Sequence, residues 1–231
     1  FAVESKSRKT RFLTQVKNDL KLTNLTVIND DLSFTEAALA EPLACSVHAV
    51  RLAIELAGYN KNMTIAVLGG GAIGLLAALV FEAYGYSDIW IAETNPLRRK
   101  MLEGIGNMRA YDPLDRAMDK KQIDIIIDAV GSGVTRKVAS QLIHPGGTIV
   151  HIGLQDNELG LDTRRLTLQE IKFQGTYCYR NGDFAEALAL LSEGKISGRG
   201  WAEVRPLDDG AQSFVDIHEG NAPPKIILQT S

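Results

Sequence analysis

The stretch Gly69-Gly70-Gly71-Ala72-Ile73-Gly74 constrains this chain more than any other. It fits G-x-G-x-x-G, a pattern that carries weight only where a strand runs into it and a helix leaves it. Both conditions are met. Residues 64–68 (TIAVL) form a short apolar run, and residues 72–84 continue as a Leu/Ala-rich helix that Gly85 closes. Gly69 permits the tight turn, Gly71 lets a pyrophosphate approach the backbone, and Gly74 lets the helix pack on the strand. The N–H groups at Ala72 and Ile73 then face the phosphates together with the positive end of the helix dipole.

Glu93 stands 19 residues beyond Gly74, at the end of the next apolar run. A carboxylate there accepts the ribose hydroxyls and repels a 2′-phosphate, so the reading is dinucleotide binding with NAD preferred over NADP. Arg98 and Arg99, one helical turn further on, are expected to pack along the adenine or to pair with acidic neighbours. Two other readings stand beside this one. An S-adenosylmethionine methyltransferase also places an acid after its second strand, but usually has another just before the glycines, where this chain has Val67-Leu68. A glycine turn that holds no ligand is the third.

The rest of the chain repeats the strand-helix rhythm. Apolar runs at 89–92, 109–111, 123–130, 148–152 and 171–179 alternate with helical patterns at 95–105, 114–121, 134–143 and 183–194. Strands spaced this way predict a doubly wound parallel α/β sheet with helices on both faces. Ahead of it, Ser33 and Glu36 have capping-box spacing, and residues 43–57 are apolar on most faces, which predicts a helix inside the fold. Residues 11–28 alternate loosely, with Lys17-Asn18-Asp19 as a candidate turn, and suggest two or three short strands. The chain closes on a strand at 225–228.

Composition excludes several classes. With 45% apolar residues the chain is not intrinsically disordered. A net charge of −3 offers no basic stripe for nucleic acid. Residues 62–81 are uncharged, long enough for a membrane span, but the three glycines split them into strand, turn and helix. Two cysteines, Cys45 and Cys178, make neither a disulfide framework nor a four-ligand zinc site. The expectation is a cytoplasmic protein with no membrane and no nucleic-acid partner.

Taken together, these residues resemble the medium-chain dehydrogenase/reductase family, within it the zinc-dependent polyol, threonine and alcohol dehydrogenases. The resemblance runs from about residue 28 to 231. It rests on AEPLA at 40–44 with His48-Ala49, VLGGGAIG at 67–74, AETNPLRR at 92–99, DAVG at 128–131, HPGGTIVHIG at 144–153, GTYCYR at 175–180, and the ending Ile217-His218-Glu219-Gly220 with KIIL at 225–228. It implies a Rossmann-type coenzyme domain over 33–195, flanked at 1–32 and 196–231 by remnants of a β-rich, GroES-like catalytic domain.

It further implies NAD as cofactor, with the nicotinamide lying against Ala129-Val130, Ile152-Gly153-Leu154 and Thr176-Tyr177. The implied reaction is hydride transfer from a secondary alcohol or polyol. Glu41 would sit at or beside the catalytic zinc, but no Gly-His-Glu accompanies it and the remaining zinc ligands are absent. His48, His144, His151 and His218 read respectively as a packed helix residue, a helix C-terminal residue, a strand residue and a surface residue. This chain alone is therefore expected to bind cofactor without turnover. A non-catalytic, redox-sensing NAD(H)-binding module is the alternative. Strand 171–179 is expected at the sheet edge, where an unpaired backbone invites a symmetric partner, giving a dimer or tetramer.

Overall fold

A computed structural model of the chain describes residues 7–21, 32–115, 118 and 122–230. The described elements begin with helices α1 (Ser7–Asp19), α2 (Phe34–Ala37) and α3 (Ala40–Ala57). Strands and helices then alternate: β1 (Thr64–Leu68), α4 (Ala72–Ala83), β2 (Asp88–Ala92), α5 (Pro96–Leu102), β3 (Arg109–Tyr111), β4 (Ile123–Asp128), α6 (Gly133–Leu142), β5 (Ile143–His151), α7 (Thr163–Leu168), β6 (Lys172–Gly175) and α8 (Asn181–Ser192). The chain continues through β7 (Ala202–Pro206), α9 (Gly210–His218) and β8 (Lys225–Gln229).

Six strands form one sheet in the order β3-β2-β1-β4-β5-β6, every pairing parallel. The chain starts at β1, winds outward through β2 and β3, returns to lie beside β1 as β4, and winds the other way to β6. This is the doubly wound order, with its reversal between β1 and β4.

The register explains why the strands read as continuous apolar runs. Ile65 pairs with Ile89 and Ile125, and Val67 with Ile91 and Ile127. These residues join Val50, Leu75, Phe184 and Leu191 in one buried cluster. Ala66, Leu68, Ile126 and Ile149 point the other way and meet Ala139 of α6 and, on its partly buried edge, Leu166 of α7. Both faces are dry, as parallel sheets require. Helix α3, nearly all apolar, lies within the first cluster between α4 and α8, as its composition predicts.

The structure corrects several expectations. Residues 7–19 are a helix rather than the first strand of a hairpin, and Lys17-Asn18-Asp19 lies within its last turn. Leu13, Val16 and Lys17 are half-buried at helical spacing, a one-sided pattern that fits a helix rather than alternating strands. Residues 22–28 of that expected hairpin, and most of the expected helix at 114–121, lie outside the described residues. Helix α6 stops at Leu142, so His144 belongs to β5 rather than to a helix end. Pro145 drives the residue before it into extended backbone, and Nε2 of His144 lies 3.0 Å from Asp124 Oδ1. Strand β6 is at the sheet edge as expected, but short, with left-handed backbone at Glu170 before it and Cys178 after it.

The return segment makes its own parallel pair, β7 with β8. Trp201 is buried just ahead of β7, and its indole N–H donates to the Ser197 carbonyl at 2.7 Å. Among the described residues, no helix is long and apolar enough to cross a membrane.

Ile127 is fully buried at the centre of the sheet. Ile127→Ala should lower stability by roughly 2–5 kcal/mol through lost transfer energy and a residual cavity. A urea titration should show a lower midpoint at unchanged slope.

Candidate functional site

The carboxyl ends of β1 and β4 open a crevice at the reversal of strand order. Gly69 leaves β1 with φ at +98°, and its N–H donates to the Ala92 carbonyl of β2 at 2.9 Å. Gly71 is the N-cap of α4, in extended backbone and without a side-chain cap. A Cβ on Gly71 would meet open space. By contrast, a Cβ on Gly74 would run into the carbonyl oxygen of Gly69, so α4 approaches β1 only because Gly74 has none. The first turn of α4, Ala72, Ile73 and Gly74, thus presents its N–H groups at the mouth of the crevice.

Glu93 is buried at the end of β2. Its Oε2 accepts from the Gly70 N–H at 2.9 Å, and its Oε1 from the Asn95 N–H at 2.8 Å. Each oxygen keeps acceptor capacity for a further hydroxyl. Asn95 caps α5 by accepting from the Arg98 N–H, and its amide reaches the Gly220 carbonyl at 2.7 Å. Of the two arginines, Arg99 takes the acidic partner, 2.8 Å from Asp112, and donates to the carbonyls of Glu93 and Thr94. Arg98 instead donates through Nε to the Ala222 carbonyl at 3.4 Å, which ties the return segment to the Glu93 corner.

The other side of the crevice is built by Asp128, fully buried at the end of β4. Its Oδ1 accepts from the N–H groups of Val130 (3.2 Å) and Gly131 (2.9 Å), and its Oδ2 from the Thr135 hydroxyl (3.0 Å). Its own carbonyl accepts from the N–H groups of Ile152 and Gly153. One residue therefore holds Ala129-Val130 and Ile152-Gly153 side by side. Leu154 and Tyr177 project into solvent, exposed by more than four-fifths. The Thr176 N–H is tied to the His151 carbonyl at 3.0 Å, while its hydroxyl is buried without a hydrogen-bond partner. All the residues expected to hold the cofactor line the carboxyl-terminal rim of the sheet.

At the start of α3, exposed Glu41 accepts from the Cys45 thiol at 3.5 Å, an i, i+4 pair on one helix face. Burial, the Glu41 carboxylate and nearby Cys178 push the Cys45 thiol up to about 12. The Tyr179 hydroxyl is also raised, by burial first and then by Glu41, Cys45 and Cys178. Glu41, Cys45, Cys178 and Tyr179 therefore lie near one another. They do not amount to a metal centre: among the described residues, no group of three or more His, Cys, Asp or Glu side chains could hold a metal ion. Zinc does not fit on the described residues.

Sequence reasoning missed three supports. The Asp128 fan of backbone bonds was hidden in DAVG, although an acid before a glycine turn is a signal. The Ser46 hydroxyl donates to the carbonyls of Pro42 and Ile73, anchoring α3 to the phosphate turn. His48 is packed in its helix as expected, but it lies 3.0 Å from Asp183 of α8, a pairing that no local spacing reveals.

The fold and rim define a doubly wound protein with a dinucleotide-type crevice. Residues 72–193 match the zinc-binding dehydrogenase family, and the chain belongs to that family. It is 28% identical over 202 residues to the D-xylulose reductase of Saccharomyces cerevisiae, covering 82% of this chain and 54% of that protein. The structure of 2R,3R-butanediol dehydrogenase from Bacillus subtilis superposes with a TM-score of 0.77 at 25% identity, over 88% of this chain and 60% of that one. L-idonate 5-dehydrogenase from Escherichia coli shares the fold, with a TM-score of 0.78 at 20% identity, over 87% and 58% of the two chains. The chain thus spans a little over half the length of the curated relatives it matches.

The raised thiol gives a direct chemical test. At pH 8 a thiol with its pKa near 12 holds a thiolate fraction on the order of 10⁻⁴, whereas Cys178 is exposed. Alkylation by iodoacetamide at pH 8, mapped by peptide mass, should modify Cys178 and spare Cys45 until the chain is unfolded. Equal labelling of both in the folded protein would contradict this environment.

Proposed function

We propose that the chain carries the coenzyme-binding part of an NAD-dependent alcohol or polyol dehydrogenase. In this reading residues 33–195 hold the cofactor, and residues 1–32 and 196–231 belong to the substrate-side domain. The observation that carries it is the uncapped start of α4, facing the crevice beside buried Glu93. The pyrophosphate lies on the N–H groups of Gly71, Ala72 and Ile73, where the dipole and unpaired donors favour an anion. Glu93 accepts the hydroxyls of the adenosine ribose while keeping its bonds to Gly70 and Asn95.

The nicotinamide lies against Ala129, Val130, Ile152, Gly153 and Leu154. The orphaned Thr176 hydroxyl supplies a hydrogen bond to its carboxamide, and Tyr177 covers the outer side. The bound cofactor supplies the hydride acceptor for a secondary alcohol. The protein residues orient one face of the ring and exclude water from the other. With no metal group among the described residues, Glu41 is placed at the edge of the substrate side, and the chain alone binds cofactor without turnover. Homology to the yeast D-xylulose reductase supports a small polyol-type substrate for the whole protein. The β6 edge supports a homo-oligomer.

Calorimetric titration of the purified chain tests this reading. NADH should bind, and NADPH should bind on the order of tenfold more weakly, about 1.4 kcal/mol, from repulsion between Glu93 and the 2′-phosphate. Failure to bind NADH at millimolar concentration would overturn it. Equal affinity for the two would remove the assigned role of Glu93 alone.

A further inference from the structure

The carboxylate of Asp183 is fully buried, yet it faces three donors from two separate parts of the chain. Its Oδ2 accepts from the Arg180 N–H at 2.8 Å, which closes the first turn of α8. The same oxygen lies 3.0 Å from Nδ1 of His48, and Oδ1 lies 2.6 Å from Nη2 of Arg51. His48 and Arg51 are three residues apart and so share one face of α3. A second pair runs alongside, with the Tyr84 hydroxyl of α4 donating to Glu186 of α8 at 2.6 Å. A carboxylate this deeply buried is costly unless it is paired and hydrogen-bonded. Here both oxygens are ion-paired and Oδ2 takes the Arg180 hydrogen bond, while Oδ1 has no hydrogen bond of its own.

This junction holds the end of segment 176–180, between β6 and α8, through the Arg180 N–H. The rest of the segment is held at two points. Its Thr176 N–H is tied to β5, and the Tyr179 ring packs on Phe184 with centroids 5.6 Å apart. Cys178 within it has left-handed backbone, φ +53°, and Tyr177 is exposed. Strand β6 behind it is exposed throughout its length. The opposite end of the site is fixed to the same helix, because Ser46 of α3 bonds the Ile73 carbonyl in the phosphate turn at 3.1 Å. Helix α3 therefore spans from the pyrophosphate cradle to the nicotinamide loop, attached to one by Ser46 and to the other by Asp183.

We propose that Asp183, with His48 and Arg51, is a positioning group for the nicotinamide half of the cofactor. It fastens the Thr176–Arg180 loop to α3 and so sets the gap in which the ring sits. This inference rests on the cofactor reading above, and it separates the two halves of the ligand. Loss of the junction slackens the nicotinamide end and leaves the adenosine and pyrophosphate end intact.

The test compares NADH with ADP-ribose, which lacks the nicotinamide, on the full 231-residue chain. Affinities are measured by titration for the wild type, Asp183→Asn, Arg51→Ala and Arg51→Lys, with thermal unfolding recorded for each. The wild type should hold NADH more tightly than ADP-ribose. Asp183→Asn should lose most of that preference, on the order of tenfold in NADH affinity, while ADP-ribose affinity stays within about twofold. Arg51 is partly exposed, so Arg51→Ala keeps the test open if Asp183→Asn fails to fold; it should lose a smaller part of the preference, and Arg51→Lys should restore it. A folded Arg51→Ala or Asp183→Asn protein that keeps the full preference overturns the proposal, as does an equal loss for both ligands, the mark of a purely structural role. A wild type that binds neither ligand overturns the cofactor reading and the proposal with it.

Discussion

The close approach of Gly74 to the Gly69 carbonyl is the contact on which the rest of the site depends. It lets α4 lie against β1 with its first turn level with the end of the strand. Any side chain at position 74 would push the helix outward, and its N–H groups would no longer point into the crevice. The crevice itself comes from topology. The sheet winds away from β1 in both directions, so no crossover covers the gap between β1 and β4 at their carboxyl ends. Helix start and topological gap coincide because the tight Gly69 turn leaves no intervening loop.

Glu93 ties two turns together at the end of β2. Burying a carboxylate without partners is costly, and the N–H groups of Gly70 and Asn95 each donate to one of its oxygens. Those bonds fix the glycine turn and the start of α5 before any ligand arrives. A site so held pays less ordering entropy on binding than one that must fold around its ligand. Arg99 reinforces the corner by bonding the Glu93 and Thr94 carbonyls and pairing with Asp112. Its charge is thereby directed toward Asp112 and away from the carboxylate of Glu93. Arg98 is likewise turned toward Ala222, so neither arginine opposes the carboxylate.

What was legible in the sequence was local. The strand-glycine-helix unit, the run of buried strands and the apolar α3 all follow from spacing within a dozen residues, and the structure reproduces them. The reading failed where local pattern was ambiguous. Residues 7–19 contain enough β-branched and apolar residues to suggest strands, yet Leu13, Val16 and Lys17 fall at the spacing of one helix face. Pro-Gly-Gly reads locally as a helix stop and puts His144 at a helix end, whereas Pro145 acts on the residue before it and extends β5. The i, i+4 pair of Glu41 and Cys45 was within reach of helical spacing, but it has no meaning until α3 is known to begin at Ala40. The Asp183 junction joins residues more than 130 positions apart, and no periodicity in one sequence encodes such a pairing.

Helix α3 links these observations, and it explains why so apolar a segment carries a serine, a histidine and an arginine on its buried and half-buried faces. A helix packed by apolar contacts alone can slide or rotate by a fraction of an ångström at small cost, because dispersion contacts are individually weak and non-directional. Hydrogen bonds and ion pairs have fixed lengths and angles, so they remove that freedom. Ser46 fixes the helix against the first turn of α4, and His48 with Arg51 pairs it with α8, while Glu41 and Cys45 form a pair near its start. The polar residues of α3 thus act as positional stops on a hydrophobic bar. Stops of this kind hold the glycine turn, α3 and α8 in a more closely defined arrangement than apolar contacts alone would.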